Sequence, residues 1–145
     1  MGSLRAQRRR RLPTPFLVRR MFEVTSSPID PHAIIDKVRR GSAVGATVSF
    51  IGSLRGHSAD GKPLRFAECK SDLRSAKQLL QQVDGEIRAK WQLEDVAICH
   101  RVGRIEVGDV IMVVAVAARH RREAFEACQY AVDRAKDSLT IREVL

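Results

Sequence analysis

Much of what would label this 145-residue chain at a glance is missing, and each absence excludes something. Aromatic residues make up only 5% of it, and its three cysteines, Cys69, Cys99 and Cys128, stand far apart with no CxxC pair. That spacing suits neither a zinc site nor a disulfide framework. No apolar run approaches the roughly 18 residues that a membrane-spanning helix needs. Neither GxxxxGK[ST] nor GxGxxG occurs, which removes the common phosphate-cradling loops, and HExxH and GxSxG are absent as well. No metal site and no bound cofactor are expected. The N-terminal stretch lacks the apolar core of a secretory signal.

What is present is charge, and its distribution matters more than its total. The net charge is +9, which suggests a nucleic-acid binder. Residues 1–20, however, carry seven arginines and no acid. Without those seven, 19 basic residues remain against 17 acids, a balance of +2 over 21–145. The basicity therefore belongs to a tail that holds Arg8, Arg9, Arg10 and Arg11. This tail reads as a disordered N-terminal extension, with a single domain over 21–145. A nucleic-acid role would rest on the tail alone. Cys99 and Cys128 fall in apolar patterns, as small buried hydrophobes in a reducing, cytoplasmic setting.

Periodicity supplies a coarse layout. Met21–Val24 can form a short strand. Asp30-Pro31 gives a helix cap followed by a proline at the first helical position, and Gly41 stops that helix. Ala43–Ile51 reads as a buried strand, Gly52–Pro63 as a polar loop and Leu64–Cys69 as a strand. Leu73, Ala76, Leu79, Leu80, Val83 and Ile87 recur at helical steps within 72–90. Val96–Val102 and Asp109–Ala118 read as strands, and Gly103 and Gly108 mark turns around Ile105-Glu106-Val107. A last helix starts near His120, with Phe125, Cys128, Val132 and Ala135 as its buried stripe. Strands and helices mix without strict alternation, so the expected class is α+β.

The residues left to carry chemistry are cationic and sit in loops or at element ends: Arg55, His57, His100, Arg101, His120, Arg121 and Lys136. Arg55 emerges from a buried strand through Phe50-Ile51-Gly52-Ser53-Leu54, a common setting for function. His100-Arg101 ends an apolar strand and reads as structural. His120-Arg121 stands at a helix start, where open amides and the helix dipole favour an anion. Lys136 near the far end of that helix complements the dipole there and reads as surface from spacing alone.

Three segments carry a resemblance to one family. They are Ser49-Phe50-Ile51-Gly52-Ser53-Leu54-Arg55-Gly56-His57-Ser58, His100-Arg101-Val102-Gly103-Arg104-Ile105-Glu106-Val107-Gly108, and His120-Arg121-Arg122-Glu123-Ala124-Phe125-Glu126-Ala127-Cys128. In this order, from Met21 onward, the chain resembles the large, catalytic subunit of molybdopterin synthase. The resemblance implies an α/β hammerhead-type domain with a mixed or antiparallel sheet and packed helices. It also implies an enzyme that inserts two sulfurs into a cyclic pyranopterin monophosphate to form the molybdopterin dithiolene. The sulfur would come from the C-terminal thiocarboxylate of a small ubiquitin-like carrier. A homodimer of large subunits would form the core of a heterotetramer. By the same resemblance, Ser53, Leu54 and Arg55 touch substrate, His120 and Arg121 bind its anion, and Lys136 is a catalytic lysine.

Two departures and one distance qualify the site. The family's Tyr-Glu-Ala-Tyr-like motif is replaced by Phe66-Ala67-Glu68-Cys69, and its Pro-Ile-Trp-Lys-Lys-Glu ending by Thr140-Ile141-Arg142-Glu143-Val144-Leu145. The family's second lysine then falls on Glu143 without a gap, or near Arg142 after a short deletion. Arginine keeps the charge but stays protonated, so it cannot share proton transfer. The alternative reading is therefore a degenerate homologue that binds carrier or pterin without full turnover. His120 and Lys136 are 16 positions apart, about 24 Å on a straight helix. A small substrate cannot span that, which suggests a composite site: His120-Arg121 from one protomer, Lys136 and Arg55 from the other.

Overall fold

Residue parity along two central strands sets the layering. In β4 (Asp95–Arg101) and β6 (Val110–Ala118), the even-numbered Val96, Ile98, Met112, Val114 and Val116 pack into one core cluster. The odd-numbered Ala97, Cys99, Val113, Ala115 and Ala117 pack into another on the opposite face. The larger side chains meet two long helices and the smaller ones meet a single short helix. The computed structural model behind this description covers residues 21–139 and 141–145; the arginine-rich residues 1–20 lie outside it.

The remaining elements complete three layers. β1 (Met21–Thr25) pairs in parallel with β4, and β2 (Ala46–Ser53) pairs antiparallel with β6. The sheet order is β1-β4-β6-β2, so the sheet is mixed, as expected. On one face lies α1 (Pro31–Val38), capped by Asp30, whose Oδ1 accepts from the His32 amide at 3.1 Å. On the other lie α2 (Leu73–Lys90) and α3 (Arg121–Ser138). Asp72 caps α2 by accepting from the Ser75 amide at 2.9 Å. Leu80, Val83 and Ile87 of α2 are fully buried, each stabilising by about 1.5–3 kcal/mol relative to exposure.

A second, antiparallel sheet in the order β5-β3-β7 closes one end: β5 (Gly103–Glu106), β3 (Phe66–Cys69) and β7 (Ile141–Val144). It sits over a third cluster that contains Leu54, Leu64, Ala67, Cys69, Val102 and Ile105.

Two expectations change, and one strand is added. The stretch read as turns around Ile105 contains the strand β5. Gly103 and Gly108 do take positive φ (79° and 89°), but the residues between them pair with β3. β7 has no strong sequence signal of its own: four residues of mixed polarity become a strand because β3 offers an edge. Phe125 is not in the buried stripe of α3. It is 61% exposed, while Ala124, Ala127, Cys128, Ala131, Val132 and Ala135 pack inward. A stripe made largely of alanine lets α3 lie close to the sheet, and Phe125 falls one position off that stripe. Cys99 and Cys128 are buried as expected. Desolvation pushes their thiols up, Cys99 to about 12 and Cys128 to about 11. Among the described residues, no helix is long and apolar enough to cross a membrane.

Candidate functional site at the two ends of α3

At its N-terminal end, α3 is capped by the backbone of His120, whose side chain accepts no cap hydrogen bond. His120 and Arg121 are exposed, and Arg121 forms no ion pair among the described residues. Arg122, by contrast, is tied to Glu126 at 3.0 Å. The first-turn amides and a free guanidinium therefore point outward together, which suits an anion. Beside His120 opens a cavity of about 610 Å³ walled by Arg88, Trp91, Glu94, Arg119 and Glu123.

The C-terminal end is built differently. Lys136 lines a cavity of about 440 Å³ together with Phe50, Gly52, Ser53, His100, Met112 and Ile141. Its Nζ lies 5.4 Å from the centroid of the Phe50 ring, within reach of a cation–π attraction. Three features of the fold assemble this wall. Phe50 and the even-numbered residues of β4 and β6 face α3 by strand parity. A register shift between Gly52 and Ser53 bends the end of β2 so that both residues reach the cavity. β7 then contributes Ile141 from the second sheet.

The expected site residues thus separate. Ser53 joins Lys136, whereas His120 and Arg121 stand at the other end of the same continuous helix. The side chain of Leu54 is 6% exposed in the third core cluster. Its backbone ties the loop down: the Leu54 amide donates to the Asp109 carbonyl at 3.0 Å, and its carbonyl accepts from the Gly108 amide at 2.9 Å. Arg55 is exposed beyond it, outside the residues that line either cavity. Arg142 pairs with Glu68 at 3.5 Å on the outer face of the small sheet. There it shares a row with Arg104, which stacks on Phe66 at 3.8 Å.

Sequence spacing separated His100 from this site, but parity brings it in. It has the same parity as Val96 and Ile98, so it faces α3 and enters the Lys136 wall at 3% exposure. Its neighbour Arg101 turns the other way, as a structural residue would. Arg101 Nη2 donates to the Arg104 carbonyl at 3.0 Å, and Nη1 lies 3.8 Å from Asp109.

Comparison with known proteins places this geometry. The family model described as MoaE protein matches residues 24–138. The chain belongs to the MoaE protein family. It is 38% identical over 120 residues to the molybdopterin synthase catalytic subunit of Bacillus subtilis, covering 83% of this chain and 75% of that one. The crystal structure of molybdopterin synthase from Staphylococcus aureus superposes with a TM-score of 0.77 at 29% identity, over 85% of this chain and 90% of that one. A complex of subunits 1 and 2 of molybdopterin-converting factor from Helicobacter pylori shares the fold (TM-score 0.67, 11% identity, 84% and 87% covered). The MoaE fold thus accounts for the mixed sheet, the helix pair and the small second sheet.

Proposed function

We propose that the chain is the catalytic subunit of a molybdopterin synthase in molybdenum cofactor biosynthesis. It moves sulfur from a thiocarboxylated carrier to cyclic pyranopterin monophosphate, giving the dithiolene. The observation that carries this reading is the cavity at the C-terminal end of α3. There one lysine stands over an otherwise mainly apolar wall, in a chain whose curated relatives bear this name. An ammonium beside an apolar wall can stabilise charge developing at a thiocarboxylate carbonyl. Ser53 lines the cavity with Lys136, and Arg55, two residues on, and Arg142 on the small sheet are the further cations assigned to this reaction.

His120 and Arg121 hold the substrate's phosphate through charge-assisted hydrogen bonds. Because α3 is continuous, they serve the Lys136 cavity of a partner copy rather than their own. The working assembly is then a homodimer of this chain with one small sulfur carrier per catalytic subunit, in the cytoplasm. Support for the carrier comes from the two-subunit complex of the same fold.

The test is direct. The chain, a thiocarboxylated carrier and the pyranopterin are mixed, and the dithiolene product is measured. Product formation is the expected result. Carrier binding without product would instead favour a degenerate homologue, a reading motivated by Arg142 and Glu143 standing where the family has its second lysine.

A further inference from the structure

Among the residues that wall the Lys136 cavity, two are titratable: Lys136 itself and His100. The His100 ring is buried, and its Nδ1 lies 2.6 Å from the Arg101 carbonyl oxygen. A carbonyl only accepts, so Nδ1 carries the hydrogen and donates it. The neutral ring therefore presents Nε2 as a bare acceptor, and no protein donor engages that nitrogen among the described residues. Burial holds the ring neutral by lowering its pKa below the ordinary 6.5, partly offset by the Arg101 carbonyl. The neighbours packed on it supply few charges. Its strand partners Val24 of β1 and Met112 of β6 are apolar, β2 offers Phe50 and Ser53, β7 offers Ile141, and α3 brings Lys136. The Arg101 guanidinium is directed toward Asp109 and the Arg104 carbonyl.

Among the described residues the fully buried side-chain atoms without a partner are Arg88 Nη2, Arg101 Nε and Glu123 Oε2, so Nε2 of His100 is not sealed in but open to the cavity, where a ligand can donate to it. We propose that His100 Nε2 is the proton acceptor of this cavity, taking the hydrogen of a hydroxyl or thiol on the ligand held against Lys136. This rests on the reading of Lys136 above. In the step, the ligand's O–H or S–H bond breaks and the proton becomes Nε2–H. The electron pair stays on oxygen or sulfur beside the Lys136 ammonium, and the imidazolium keeps its Nδ1–H on the Arg101 carbonyl. The proton leaves to water when the product departs. The family resemblance assigned this cavity a lysine; the geometry adds its base.

The experiment combines spectroscopy and kinetics on the whole chain with thiocarboxylated carrier and pyranopterin. Imidazole ¹⁵N shifts should show the Nδ1–H tautomer and a pKa below 6.5. His100→Phe and His100→Asn should each lower turnover about 100-fold with little change in KM, and the acid limb of the wild-type pH–rate profile should vanish in the Asn variant. If the Phe variant fails to fold, the Asn variant and the spectrum of the wild-type protein decide. An Nε2–H tautomer, or full turnover in the folded His100 variants while Lys136→Ala is inactive, overturns the His100 proposal alone. Full turnover in Lys136→Ala overturns the site reading and this proposal with it.

Discussion

The two ends of α3 hold cations for opposite reasons. At the N-terminal end, His120 and Arg121 are exposed, among open amides, solvent and a cavity wall that carries Arg88 and Arg119 alongside Glu94 and Glu123. An exposed guanidinium there can reach a phosphate but gains little from a low dielectric. At the C-terminal end, Lys136 leans over an aromatic ring and an apolar wall that also buries a neutral histidine. The first arrangement binds; the second can stabilise a developing charge. A stripe of buried alanines, Ala124, Ala127, Ala131 and Ala135, lets the helix lie close to the sheet between them, and the 16 positions from His120 to Lys136 put the ends about 24 Å apart.

That contrast can be broken in several ways. Lys136→Ala should lower turnover about 100-fold or more and leave thermal stability nearly unchanged, because the residue is exposed; a large fall in Tm with normal turnover would reverse the assignment. In the stripe between the ends, Ala131→Leu should cost about 1–3 kcal/mol by overpacking, read as a lower urea midpoint at unchanged slope. At the other end, Arg121→Ala should raise KM for the pyranopterin about 10-fold, the loss of one charge-assisted hydrogen bond, with kcat much less affected. Mixing Lys136→Ala chains with Arg121→Ala chains should then bring back turnover at the wild-type KM, which neither variant shows alone, since a mixed dimer keeps one intact composite site; no return of the low KM despite subunit exchange would place both groups in one protomer's site. A smaller effect concerns pH. The pKa of His100 is lower in the folded chain, so above 6.5 it adds no pH dependence. As pH falls below 6.5 the unfolded chain takes the proton first, and stability declines. Denaturation midpoints at pH 7.5 and about 5.5 should show that fall, reduced in His100→Asn. Least affected should be Arg142→Ala, under about 1 kcal/mol in stability and with a far smaller loss of turnover than Lys136→Ala.

Parts of this were legible beforehand for physical reasons. The cap at Asp30, the helical period of 72–90 and the apolar runs of β4 and β6 are local signals, and each became the expected element. His120-Arg121 at the start of α3 was legible because a helix start is itself local. β5, β7 and the outward Phe125 were not, because a four-residue strand exists only when a neighbour supplies its hydrogen bonds, and the centre of a helix's buried face is set by what it packs against. The role of His100 was hidden for a related reason: parity becomes directional only when one knows which face carries α3.

By itself, then, the sequence determined the element types, the tail that holds most of the charge and the family, since these rest on short-range pattern and motif order. Only the tertiary structure decided that Ser53, His100 and Lys136, far apart in the chain, share one cavity, while His120 and Lys136, on one helix, do not. Strand parity, a bulge at Gly52-Ser53 and an edge strand at Ile141 converge there, and no local pattern encodes such a convergence.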